Sequence, residues 1–250
     1  MNILYEHLTI DQKNIWDSYL DLKAKGIKSK AKIILQDFIS SVKKNPSESI
    51  DSIALELDNL NKNHEIEFQF PLFKEIILPT LIKFAKQNKP KFHKMIAENQ
   101  KYFQSHKGLA EYINKEFGIN EVFFESNIFL EKELSINPTD SKTAELLINN
   151  IAKDLDYAIH EMPNNGLIYD IESFSLSINK LNDLIFKYDL NNTKWKIRLN
   201  LLNTIYRTWS DYLKQESIPN YKQYLEALGE TDLIDSLSNP REVIYDWKLL

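Results

Sequence analysis

Asp154, Asp156, His160, Glu161, Tyr169 and Asp170 crowd one short stretch of the chain, with Glu172 just beyond. Carboxylate, imidazole and phenol at close quarters are the materials of proton transfer. Asp156 and His160 are one helical turn apart, so a carboxylate–imidazolium pair on one face is geometrically easy. Asp154 falls off that stripe. General acid–base catalysis would want a third, orienting group and a cleft that keeps water out. A plainer reading competes: a helix ends here, His160 meets its last carbonyls, and an ordered turn follows. A carboxylate beside a histidine is common on helix surfaces, so no catalytic residue is assigned and the chain is not read as an enzyme. Loops carry binding function more often than cores do. Asp154, Asp156, His160, Glu161, Tyr169, Asp170 and Glu172 therefore form a candidate partner-binding surface.

Other sets of chemistry-bearing residues read as structure. The histidines are His7, His64, His93, His106 and His160. None has a second histidine at metal-ligand spacing, and His93 is followed one turn later by Ala97, which ligates nothing. No metal and no cofactor is expected. The absence of cysteine removes thiol catalysis, thiolate zinc sites and disulfide frameworks together. Trp195, Tyr206, Trp209 and Tyr212 could stack nucleotide bases, but aromatics at helical spacing are more often core. They read as core. Lys83, Lys86, Lys89, Lys91 and Lys94 could touch a phosphate or an acidic partner, but a solvated helix face is the better reading.

The elements that must position these residues are helices. The chain has 250 residues and only 5 glycines, too few for a hairpin-rich or phosphate-loop architecture. Thr9 caps a first helix carrying Ile15, Trp16 and Tyr19, and Gly26 stops it. Ser29 caps a second, with Ile33, Ile34, Phe38 and Val42. A third runs from Ser47 to Leu60 with an acidic outer face. The apolar segment around Phe73–Phe84 predicts a helix packed on both sides, kinked or broken at Pro79. Pro90 opens the next helix. Lys107–Phe117 is closed by Gly118, and Asn120 begins a helix through Phe123 to Leu134. Asn137-Pro138 turns the chain before Asp140 or Ser141 caps a long helix ending at His160. Asp170 or Ser173 starts another, and Trp195–Leu213 turns Leu199, Leu202, Ile205, Tyr206, Trp209 and Leu213 inward. Tyr221–Leu228 and Asp232–Leu237 close the pattern, with Trp247 docking the tail. The junction at Pro138 has the local shape of a tetratricopeptide helix pair, but no fixed period recurs. The fold class is all-α: ten or more helices in stacked antiparallel hairpins, an irregular solenoid-like body. It forms one domain over 1–250, or two stacked halves dividing near 118–120.

Net charge is −5 and only three residues are arginine. A general nucleic-acid binder needs the opposite balance, so none is expected as partner. MNILYEHLTIDQKN lacks a basic start followed by an apolar run, so no signal peptide is expected. The apolar stretch around Ile76–Ile82 is too short to span a bilayer. A cytoplasmic protein without membrane insertion is the expectation.

Three segments carry a resemblance: FPLFKEIILPTLIKFAKQNKPKFHKMIAENQKYF, DLDYAIHEMPNNGLIYDIESFSLSINKLNDLIFKY and YRTWSDYLKQESIPNYKQYLEAL. They resemble bacterial all-helical proteins of polymorphic and contact-dependent toxin loci, which look like immunity proteins. HEMPNNGLIYD is the most specific part. The resemblance covers a little over a third of the chain and transfers no functional residue. It implies a stoichiometric inhibitor that binds a cognate toxin C-terminal domain. An acidic face at Asp154–Glu172 would suit a basic toxin. Two alternatives remain: a tetratricopeptide-like adaptor for peptides or partner proteins, and an enzyme or nucleotide-binding protein using the His160 loop.

Overall fold

In a computed structural model, residues 8–44, 69–190, 193–215 and 217–238 are described. They are all-helical, with no strand among them. The expected Ser47–Leu60 helix and the docking of Trp247 lie outside the described residues. No described helix is long and apolar enough to cross a membrane.

Two compact units divide at the Asn137-Pro138 turn: the first ends at Pro138 and the second begins at Thr139. The 118–120 stretch is not the boundary. Gly118, left-handed at φ 67°, only terminates a helix, and the chain beyond it is drawn back into the first unit. The buried Asn114 side chain does this by donating to the carbonyls of Glu121 (2.8 Å) and Phe123 (2.9 Å). The expected helix from Asn120 is consequently displaced. Residues 119–125 are irregular and the helix starts at Ser126.

The first unit holds α1 (Ile10–Ala24), α2 (Lys28–Lys44) and α3. The last is continuous through Phe70–Leu72, Phe73–Ile77 and Leu78–Lys86. Then follow α4 (Phe92–Glu98), α5 (Gln100–Ser105), α6 (Lys107–Phe117) and α7 (Ser126–Ile136). Thr9 caps α1 in a full capping box with Gln12, as its spacing predicts. Trp16 then packs on Phe38 of α2, ring centroids 4.8 Å apart. Pro79 does not break α3, which stays helical through it. The Phe73–Ile77 segment widens instead into a π-turn, with the Leu78 N–H donating to the Phe73 carbonyl five residues back. A proline ring in a regular α-turn would press on the carbonyl four residues earlier and offer it no N–H. The wider turn relieves both problems, and the Thr80 hydroxyl takes the neighbouring Ile76 carbonyl at 2.8 Å. Aromatics knit the rest: Phe73 stacks on Tyr102 at 4.1 Å, Phe103 on Phe124 at 4.1 Å, and Phe117 meets Phe129 edge-on. Phe73, Phe103 and Phe129 are almost wholly buried, and each contributes about 1.5–3 kcal/mol over an exposed side chain.

The second unit holds α8 (Ser141–Ile159), α9 (Ile171–Lys187), α10 (Thr193–Tyr212), α11 (Tyr221–Leu228) and α12 (Thr231–Ser238). Asp140, Asp170 and Asn220 cap α8, α9 and α11 by accepting from the N–H three residues on. α9 packs against both α8 and α10. Their shared core is Leu147, Ile151 and Leu155, Phe174, Ile178 and Leu181, and Leu199, Leu202 and Ile205. Tyr206 and Trp209 are only half-buried and Leu213 is exposed, because α10 ends at Tyr212.

Candidate functional site

The candidate surface is built on the end of α8, the 160–170 loop and the start of α9. α8 has leucine, isoleucine and alanine on one face, which fixes its rotation and turns Asp154, Tyr157 and His160 outward. His160 caps the helix. Its Nδ1 donates to the Tyr157 carbonyl at 2.6 Å, and its ring stacks on Tyr157 with centroids 4.8 Å apart. Nε2 lies 2.9 Å from Glu161 Oε1, and the other Glu161 oxygen accepts from Asn165 Nδ2 at 2.8 Å. The loop returns to α8 through the Ile168 N–H, which donates to the Ala158 carbonyl at 2.9 Å. Gly166 holds it against α10. At φ 98° it has a backbone that side-chain-bearing residues rarely adopt, and a Cβ there would stand 2.9 Å from Trp209 Cη2. Asp170 closes the loop as N-cap of α9. Its hydrogen bonds from the Ser173 side chain and backbone hold its carboxyl below the ordinary carboxylate range.

Asp156 and His160, one helical turn apart, do not pair. Asp156 instead makes an ion pair with Arg198 of α10, both side chains largely buried, while His160 turns to Glu161 and the helix end. The reason is geometric: His160 is the first residue past α8 and is held by the Tyr157 carbonyl, whereas Asp156 faces α10. Asp154, Asp170 and Glu172 are exposed and Tyr169 is half-buried. Among them the structure exposes apolar side chains that the sequence did not single out: Tyr157 (59%), Ile168 (42%) and Leu176 (68%). The end of α8, the 160–170 loop and the start of α9 thus present Asp154, Asp170 and Glu172 with these three to solvent, leave Glu161 half-buried, and withdraw Asp156.

Asp156 belongs to a second feature, a cavity of about 690 Å³ between one stripe of α8 and the first turn of α10. Ile148, Ala152, Leu190 and Trp195 line it with Lys153, Lys194 and Arg198. Burial pushes the Arg198 guanidinium down to about 10, so it keeps its charge at neutral pH. A usable signal was present in sequence. Arg198 falls on the α10 stripe that carries Trp195, Leu202 and Ile205, and an arginine among buried positions needs a buried acid.

The first unit holds a parallel case. Glu133 lies on the buried stripe of α7 with Phe129 and Leu130, and is fully buried. Its Oε1 accepts from the Lys91 N–H at 2.6 Å, capping α4 from a neighbouring helix. Lys91 has φ 78°. Glu133 Oε2 stands 3.9 Å from Nδ1 of the buried His93. Burial, aided by the charge of Lys132, pushes His93 down to about 4. Among the described residues no three His, Asp or Glu side chains converge as metal ligands. His160 lines neither the α8–α10 cavity nor a second, of about 640 Å³, beside Phe70, Pro79, His106 and Tyr112. On the exposed helix end it is open to a docking partner.

No protein-family model matches the chain, and no curated protein or solved structure is significantly similar to it.

Proposed function

We propose that the protein is a stoichiometric protein-binding protein, an immunity protein that docks on and neutralises a cognate bacterial toxin domain. One observation carries this reading: across the end of α8, the 160–170 loop and the start of α9, Tyr157, Ile168 and Leu176 stand exposed with Asp154, Asp170 and Glu172. Apolar and aromatic anchors ringed by charge are what a preformed docking surface presents. The acids speed encounter with a basic domain and fix its register, and the anchors slow its release. The Gly166–Trp209 contact and the Ile168–Ala158 hydrogen bond preorganise the loop, which lowers the ordering cost of association. Inhibition by this route needs no catalytic group on this chain, and it fits the exposed position of His160.

The test begins with the tagged protein as bait in its native host and mass spectrometry as readout, followed by reconstitution with the purified partner. The expected result is one dominant partner, a toxin domain, bound one to one and deprived of its toxicity. Tyr157→Ala together with Asp170→Lys and Glu172→Lys should weaken that complex at least tenfold and abolish protection. If those changes leave affinity and protection intact, the surface is misassigned. Many weak partners sharing a peptide motif would make the protein an adaptor instead.

A further inference from the structure

The α8–α10 cavity is distinct from the docking surface and shares no residue with it. We propose that it binds a small amphipathic anion, a flat apolar body carrying one carboxylate or phosphate group.

Its volume of about 690 Å³ falls within the usual range for small-molecule sites, about 300–1,000 Å³. Its walls divide by chemistry. Ile148, Ala152 and Leu190 supply apolar surface, and Trp195 adds an indole on which a flat ring can stack. Lys153, Lys194 and Arg198 line the same space against Glu145 and Asp156. The cavity therefore carries one excess positive charge in a chain whose net charge is −5. A carboxylate engages at most two of a guanidinium's five N–H donors, so Asp156 leaves Arg198 donors for a second acceptor. Two sources of positive potential thus meet one apolar surface: the lysine side chains and a largely buried guanidinium. A cationic ligand would be repelled by both, and a wholly apolar one would gain nothing from either.

The experiment uses the full chain labelled with ¹⁵N and follows the indole N–H resonance of Trp195, assigned with Trp195→Phe. The probes are 1-naphthoate, 1-naphthyl phosphate and, as the cationic control, 1-naphthylmethylamine. Saturable shifts are expected with the anions, half-complete at about 1 mM or below, and none with the amine. Response to one anion alone supports the site and assigns its head group. Lys194→Glu should raise half-saturation at least tenfold, and Asn149→Phe, which fills the cavity from a half-buried lining position, should abolish the shift. Circular dichroism establishes that each variant is folded, and either variant alone suffices. The proposal is overturned if neither anion shifts Trp195, if the amine shifts it equally, or if the folded variants respond like the parent.

Discussion

Two single residues bear more than their size suggests. Gly166 meets two demands at once, a φ of 98° and a flat approach to Trp209. Gly118 meets only one, since its φ is 67° but nothing lies within 4 Å of a Cβ built there. Urea denaturation should separate them: Gly118→Ala loses about 1 kcal/mol, and Gly166→Ala at least about twice that. Equal losses would mean that Trp209 yields freely. The Asp156–Arg198 pair predicts a different asymmetry. Asp156→Ala strands a buried guanidinium and should cost about 3–5 kcal/mol, whereas Asp156→Leu with Arg198→Met should recover most of it. A double variant no better than the single one would show that the pair is not coupled. What was legible in sequence at this scale was whatever acts over one turn. Thr9, Asp140 and Asp170 are caps whose partners lie three residues on, so spacing alone finds them. The partner of Asp156 was not legible in this way, because Arg198 comes from another helix.

Helices show the same limit. α3 was foreseeable from its apolar positions, but the form it takes at Pro79 was not. Proline forbids a hydrogen bond without specifying the remedy, and here the remedy is a wider turn. The segment after Gly118 was read as helix from its phenylalanines, yet a single polar side chain overrides that pattern. Asn114 secures two carbonyls of that segment, and replacing it should free the segment without melting α6. Asn114→Leu is expected to open residues 119–125 to limited proteolysis while leaving helical circular dichroism nearly unchanged. Resistance equal to the parent's would show that the stacking of Phe124 on Phe103 and Phe129 holds the segment unaided.

Across the whole molecule, acid should act unequally, because the buried histidine belongs to the first unit alone. Folded His93 stays neutral down to about pH 4, whereas an unfolded histidine takes its proton near pH 6.5. Acidification therefore protonates the unfolded chain first. The stability tied to a neutral His93 is whole above about pH 6.5 and lost between there and about pH 4, up to about 3 kcal/mol. Urea midpoints at pH 7 and pH 4.5 should fall less in His93→Leu than in the parent, and an equal fall would refute the assignment. The contact between Gly166 and Trp209 reaches beyond stability. An indole resting on the backbone of the proposed docking loop changes its emission when that backbone or the water around it is displaced. The protein thereby carries its own optical gauge of occupancy: a partner seated on the 160–170 loop would register in Trp209 fluorescence without any attached dye. Stopped-flow mixing could then time the encounter directly.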